Sequence, residues 1–189
     1  MNMFFKICAS AGLIGISSST FADNKFNQNL QKIIECKKSM QDFVNLGWNF
    51  KKDLAKNHWS EVKSQISFFE RYRTNIPFHA FGFEVKEILF YSGGFFAVLP
   101  DLDAKQLAIH YQIEQYPYIK DPKFFSGGKV LQVDPETKEL EQSVRVLKIA
   151  EADPETEKRA QTTYIGCSFD YEYSYKAMQE ILNESSGSK

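Results

Sequence analysis

The stretch TYIGCSFDYEY, residues 163–173, alternates strictly between two kinds of side chain. One side of the alternation carries Ile165, Cys167 and Phe169, and the other carries small or polar residues such as Ser168. Successive side chains of a strand point to opposite faces of a sheet. The pattern therefore predicts a half-buried strand whose thiol faces the core.

The segment 24–46 has a different period, because its apolar residues recur at steps of three and four. These residues are Phe26, Leu30, Ile33, Cys36, Met40 and Phe43. Such spacing places one apolar stripe on an amphipathic helix. Asp23 or Asn24 can cap the start of this helix, and Gly47 can end it. We therefore predict a helix that carries Cys36 on its buried side.

The amino-terminal segment 1–22 has the three-part form of a secretory signal peptide. A short start contains Lys6, an apolar run covers 7–16, and a Ser-rich section ends at Ala22. The apolar run is too short to span a bilayer. We predict cleavage near Ala22 and export to the periplasm or the exterior. The alternative is a buried N-terminal helix.

Removal of this segment would leave two cysteines, Cys36 and Cys167. An even number of cysteines in an exported chain is the setting in which disulfides form and persist. Because both thiols are predicted to face the core, we expect them to form one disulfide. A pair of unlinked buried thiols is the alternative. Two cysteines without a histidine at ligand spacing do not predict a zinc site.

The rest of the chain predicts one further helix, several strands and a closing helix. The second helix is predicted over 53–73 and the closing helix over 175–182. Strands are predicted at 81–90, 95–99, 107–113 and on both sides of a turn within 127–150. The strand at 95–99 is apolar on both faces, which suits a central strand covered on two sides.

This order of elements predicts an α+β fold in one domain, residues 23–182. We expect a mostly antiparallel curved sheet, because the short connections leave no room for parallel crossovers. Two N-terminal helices and a short C-terminal helix should pack on it. The tail 183–189 is predicted to be flexible.

The tripeptide Ser-Gly-Gly occurs twice, at 92–94 and at 126–128. A phosphate-binding glycine loop lies between a strand and a helix, whereas both copies here are followed by residues typical of strands. Two glycines supply the positive φ angles of tight hairpins. We therefore predict hairpin turns at both places.

Histidines offer the only catalytic candidate in the sequence, and that candidate is His110. The predicted strand 107–113 places His110 on its polar face, where it could act with Ser168 or Asp170 as a hydrolase. No nucleophile elbow or other serine-enzyme signature accompanies it. His58 and His79 are interpreted as structural or surface residues. The sequence predicts no metal site and no cofactor.

The aromatic content, 17 Phe and nine Tyr, is the feature that points to a function. The loop QYPYIKDPKFF, residues 115–125, holds four of these residues in a segment where Pro117 and Pro122 prevent a regular helix or central strand. The four are Tyr116, Tyr118, Phe124 and Phe125. We interpret them as a binding surface for a protein partner. The alternative is a lid that closes one end of the core.

Charge excludes several classes of partner. The 23 basic and 24 acidic residues are balanced and form no long run of either sign, which argues against nucleic acid and against electrostatic docking on anionic lipid. No later segment has the length of a transmembrane helix.

These features favour an exported, non-catalytic binding protein. Inhibitors and immunity proteins that neutralise envelope-directed toxins or hydrolases have this profile. The alternatives are a carrier of an apolar small molecule or lipid, and a hydrolase that uses His110.

Overall fold

The computed structural model describes residues 25–63, 69–91, 93–120, 124–135, 142–152, 161–171 and 176. Within these residues, three helices precede the sheet, and their bounds are α1 Lys25–Ile34, α2 Met40–Gly47 and α3 Phe50–Lys56. The first four strands are β1 Trp59–Val62, β2 Glu70–Ala80, β3 Phe83–Tyr91 and β4 Gly94–Leu99. They are followed by α4 Ala104–Tyr111, β5 Ser126–Asp134, β6 Ser143–Glu151 and β7 Thr163–Tyr171.

The strands form one seven-stranded antiparallel sheet in the order β1-β2-β3-β4-β7-β6-β5. This architecture confirms the predicted α+β fold with an antiparallel sheet. The strand that contains Cys167 is β7, which lies between β4 and β6. The prediction of a strand with Cys167 on the core side is confirmed. The prediction that this strand is half-buried is wrong, because β7 pairs with β6 throughout and with β4 over 163–168, and residues 165–169 are buried on both faces.

The helices cover one face of the sheet, which we call the inner face. Ile165, Cys167 and Phe169 point from β7 into the core on this face. Aromatic rings fill the space between the layers: Phe43 stacks on Phe169 with centroids 4.7 Å apart. Among the described residues, apolar side chains of the helices and the sheet pack together in one core.

The prediction of one helix over 24–46 is wrong in its middle. Cys36 adopts a left-handed conformation with φ of 56°, which ends the helical path after α1. A new helix then starts at Ser39, whose hydroxyl accepts a hydrogen bond from the Asp42 N–H, while the Asp42 carboxylate accepts one from the Ser39 N–H. The left-handed Cys36 therefore ends the first helical segment, and the capping box starts α2. The apolar stripe continues across both helices. Cys36 is nevertheless buried, as predicted.

Two other elements also differ from their predictions. The helix expected over 53–73 ends at Lys56, and His58 with φ of 63° turns the chain into β1. The strand expected over 107–113 is largely helix α4, which the Asp103 carboxylate caps by accepting hydrogen bonds from two N–H groups. In both cases a local backbone signal decides the element where the period alone does not: the left-handed His58 ends α3, and the Asp103 N-cap starts α4. The closing helix predicted over 175–182 lies outside the described residues, apart from position 176.

A disulfide joins Cys36 to Cys167 across 131 positions, as predicted. It ties the α1–α2 connection to the central strand β7. The buried side chain of Arg145 holds the same connection, because it donates hydrogen bonds to the Cys36 carbonyl (3.0 Å) and to Asp134 Oδ1 (2.8 Å). Asp134 in turn accepts from the Met40 N–H at 3.3 Å. The disulfide and the Arg145–Asp134 ion pair thus hold the same α1–α2 connection.

Glu35 fixes the end of α1 to the β2–β3 turn. Its Oε1 accepts hydrogen bonds from the Phe81 N–H (2.8 Å) and from Gln31 Nε2 (3.3 Å), and Lys37 Nζ lies 2.6 Å from Oε2. Burial by itself raises the pKa of Glu35, but these hydrogen bonds, led by that of Lys37, outweigh burial and hold the pKa below its ordinary value of 4.5.

This lowered pKa predicts an acid-dependent part of the stability. The carboxylate of Glu35 stabilises the fold above its unfolded pKa, and the stabilisation is lost as the pH falls through the lower pKa of the folded state. We expect Glu35→Gln to lower the free energy of unfolding by about 1 kcal/mol at pH 7. Urea denaturation at several pH values should show this difference shrinking below the ordinary pKa of 4.5. A difference that stays constant down to pH about 2 would contradict the role of the charge.

Among the described residues, no helix combines the length and the hydropathy required to cross a membrane. The disulfide fits a protein of the periplasm or the exterior, since thiols are kept reduced in most cytosols.

Candidate binding groove on the outer face of the sheet

The face of the sheet opposite the helices, which we call the outer face, carries a second apolar cluster. Leu89, Phe96 and Val98 are buried in it. Strand register assembles the cluster, because Leu89 pairs with Phe96 on the next strand and Val98 pairs with Tyr164 beyond it. The partly buried rings of Phe69, Tyr91 and Tyr164 pack around these residues.

An open groove of about 270 Å³ lies over this cluster, and we call it the outer groove. Residues from β3, β4, β7, β6 and β5 contribute to its lining, so the groove runs across the strands. It is lined by Phe69, Leu89, Tyr91, Phe96, Phe124, Ser126, Lys148, Ala150, Glu151 and Tyr164. Half of these ten side chains are aromatic.

The aromatic wall of the outer groove is held by ring contacts. The rings of Phe69 and Tyr91 meet edge to face with centroids 4.7 Å apart. The centroid of the Tyr91 ring lies 6.4 Å from that of Phe96. Gly166 on β7 pairs with Phe96. The β4 backbone approaches Gly166 so closely that a Cβ there would lie 2.6 Å from the Phe96 Cα.

Charged groups lie at the β6 side of the outer groove. Lys148 Nζ donates hydrogen bonds to Ser168 Oγ (3.0 Å) and to Asp170 Oδ2 (3.4 Å), and Ser168 Oγ donates to the same Asp170 oxygen at 3.0 Å. Glu151 accepts a hydrogen bond from the Phe125 N–H at 3.3 Å. The groove is therefore apolar along most of its length, with an ammonium group and a carboxylate at one side.

The loop residues proposed from the sequence as a binding surface have different environments. Phe124 lines the outer groove. Tyr116 and Tyr118 stack on each other with centroids 5.4 Å apart, and Tyr118 is 42% exposed. Phe125 is buried in the inner core. One ring of this loop thus closes the core, as the lid alternative expected, while Phe124 and Tyr118 lie where a partner could reach them.

The two Ser-Gly-Gly copies have different structural roles. Gly93 has φ of 73° in the turn between β3 and β4, as the hairpin prediction requires. The prediction of a hairpin turn at the second copy is wrong, because residues 126–128 lie inside strand β5. A Cβ on Gly127 would lie 2.2 Å from the Glu114 carbonyl oxygen, and one on Gly128 would lie 2.2 Å from Tyr116 Oη. These glycines allow the aromatic loop to lie directly on β5.

The catalytic arrangement considered for His110 does not form. His110 is an exposed residue of helix α4, not of a strand. Helix α4 packs on the inner side of the sheet through Leu107, whereas Ser168 and Asp170 belong to the outer face of β7. The sheet therefore separates the histidine from both proposed partners. Ser168 is also fully buried, so a substrate cannot reach its hydroxyl.

The other candidate chemistry is also sparse. His58 and His79 are exposed. Within the described ranges, no group of three or more His, Cys, Asp or Glu side chains is placed to hold a metal ion.

Sequence patterns missed most residues of the outer groove. The signal that could have found them is the segment 95–99, whose two apolar faces require cover on both sides of the sheet. Helices cover the inner side, and the outer side of this segment forms the floor of the groove. Which other strands would supply the walls depends on strand order, which local periodicity does not contain.

Comparisons of this chain with protein-family models, with curated proteins and with solved structures give no match.

Proposed function

We propose that this chain is an exported binding protein without catalytic activity that engages another protein through the outer groove. In this proposal it acts in the periplasm after cleavage near Ala22. The disulfide between Cys36 and Cys167 supports an oxidising compartment. An envelope-directed toxin or hydrolase, which the chain would neutralise, is the partner class that suits a rigid exported binder.

The observation that carries this proposal is the open, largely apolar outer groove. Apolar concavities on a protein surface mark binding sites more often than isolated exposed residues do. Aromatic side chains fixed on strands lose little conformational entropy on binding. Tyr91, Phe96 and Tyr164 therefore form a rigid receptor for an anchor side chain of a partner.

The size of the groove favours a protein partner over a small-molecule cargo. Its volume of about 270 Å³ is below the roughly 300–1,000 Å³ typical of small-molecule pockets. It suits one or two anchor side chains, around which a flat interface can close. The space between sheet and helices is filled by rings such as Phe43 and Phe95, whose centroids lie 5.4 Å apart.

Two matched substitutions test the proposal. Ala150 lines the outer groove, so Ala150→Phe should fill it, whereas Ala55→Phe adds the same ring on the exposed side of α3. We expect the wild-type protein and Ala55→Phe to capture one stoichiometric protein from the periplasm of the native host. Ala150→Phe should lose that capture while unfolding at the same urea concentration. Equal capture by both variants would refute the role of the groove.

The second candidate function is the carriage of an apolar small molecule. The amphipathic lining favours it, because Lys148 could pair with an acidic end group while the rings contact an apolar body. Native mass spectrometry distinguishes the two functions. A co-purified small molecule that is absent from Ala150→Phe would support the carrier, and a bound protein would support the first proposal.

A further inference from the structure

The two tryptophans of the chain have opposite environments. Trp59 is 5% exposed and donates a hydrogen bond from Nε1 to Asn27 Oδ1 at 3.1 Å. Trp48, at the end of α2, is 81% exposed. The indole ring combines a large apolar surface with one polar N–H group, so it is favoured where an apolar phase meets water. No core contact explains the position of Trp48.

Three lysines follow Trp48 within eight positions of the sequence. Helix α3 buries Phe50 and Leu54 and exposes three lysines on its other side. These are Lys51, Lys52 and Lys56. Lys51 lies 3.2 Å from Glu70, and Lys56 lies 4.0 Å from Asp53.

These two ion pairs are exposed and contribute little. Lys52 has no carboxylate within ion-pair distance in the part of the chain that the structure describes. This part of the helical layer therefore combines one exposed ring with three lysines and two carboxylates, an excess of one positive charge.

We propose that Trp48, Lys51, Lys52 and Lys56, together called the Trp48 surface, bind the surface of an anionic phospholipid membrane. Tryptophan concentrates at the headgroup level of bilayers. Each lysine near an anionic membrane adds attraction, and its long stem lets the ammonium group reach the phosphates. The balanced net charge of the whole chain argues against lipid docking. That net charge sums over all surfaces of the protein, however, and only one surface would face the membrane.

The composition of the Trp48 surface favours a membrane over a protein partner. Tryptophan is enriched at both protein–protein and membrane interfaces. Lysine is depleted at protein–protein interfaces but common beside membranes, so the lysines near Trp48 decide in favour of a membrane. An attraction of this kind is weak, reversible and reduced by salt. The helices that carry Trp48 lie on the opposite side of the sheet from the outer groove. A molecule bound by the Trp48 surface would therefore leave the groove accessible.

Vesicle binding of the purified protein that begins at Asp23, as cleavage near Ala22 would leave it, tests this inference. The probes are vesicles of equal parts phosphatidylglycerol and phosphatidylcholine, with pure phosphatidylcholine as the neutral comparison. Binding to the anionic vesicles should shift the tryptophan emission to shorter wavelength. Because Trp59 is already buried, this shift reports on Trp48 and should vanish in Trp48→Phe.

The variants give the expected sizes of effect. Trp48→Ala should lower the partition coefficient by about tenfold, because partial burial of the ring is lost. Lys52→Gln should lower it by about fivefold. Lys129→Gln removes the same charge from edge strand β5 and should bind like the wild type. All proteins lack residues 1–22, so the apolar run 7–16 makes no contribution to vesicle binding.

Three results would overturn the inference. They are equal binding by Trp48→Ala and the wild type, equal binding to neutral and anionic vesicles, and the absence of vesicle binding. A partner protein whose capture depends on Trp48 in the absence of lipid would also assign this surface to a protein instead. None of these results depends on the outer groove, which Ala150→Phe tests separately.

Discussion

Replacement of Cys36 and Cys167 by alanine should lower the free energy of unfolding by about 2–5 kcal/mol. The bond joins residues 131 positions apart, so its loss frees a very long loop in the unfolded chain. The chain-entropy model gives about 5 kcal/mol for such a loop, and measured values are often smaller. Urea denaturation of the oxidised wild type and of the double variant measures the difference directly.

The slope of the urea transition adds a second readout to the disulfide experiment. Without the cross-link the unfolded chain expands and exposes more surface, so the slope should increase as the midpoint falls. The wild type with its disulfide reduced provides the control and should behave like the double variant. A double variant within about 0.5 kcal/mol of the oxidised wild type would show that the Arg145 and Asp134 contacts hold the α1–α2 connection without the bond.

The sequence predicts this disulfide because each cysteine lies in a segment with a clear buried side. The alternation at 163–173 is unambiguous, and Cys167 lies on its apolar side. At 24–46 the helical stripe gives the correct burial of Cys36 even though the helix is interrupted there. Burial depends on which side chains face the sheet, and the two shorter helices keep the same stripe facing it.

Predictions fail where one pattern fits two structures. Leu107 and Tyr111 are separated by four positions, a spacing that satisfies both a helix and an alternating strand. Ile109 would face the core in a strand, but it is 71% exposed on helix α4. The local signal that decides in favour of the helix is Asp103, whose Oδ1 accepts from the Lys105 N–H at 2.8 Å. An N-cap carries more information here than the period does.

The outer groove could not be predicted from the sequence, because it is a product of strand order. Leu89 and Phe96 are already neighbours in the β3–β4 pair, but Tyr164 is distant in the chain and joins them only because β7 pairs with β4. Tyr164 appears on the polar side of its own alternation, and only the neighbouring Val98 shows that this side is apolar in the folded sheet. The candidate site thus depends on long-range register, whereas the inner core depends on local periods.

Gly166→Ala tests this central register and should destabilise the protein by about 3 kcal/mol or more. Gly166 pairs with Phe96 between β7 and β4. A Cβ at position 166 would lie 2.0 Å from the Phe95 carbonyl oxygen and 2.6 Å from the Phe96 Cα. Both are backbone atoms, so rotation of a side chain cannot relieve the clash. The two strands would have to separate and weaken the hydrogen bonds of the sheet.

Gly47→Ala is the matched control, because the same methyl group at the end of α2 would meet no atom within 4 Å. Alanine is the better helix former, so this variant should be unchanged or about 0.5–1 kcal/mol more stable. Urea midpoints of the two variants compare a crowded glycine with an uncrowded one in the same chain. A free energy of unfolding for Gly166→Ala within about 0.5 kcal/mol of that for Gly47→Ala would contradict the close approach of β4 and β7. The register that places Phe96 in the floor of the outer groove would then be wrong.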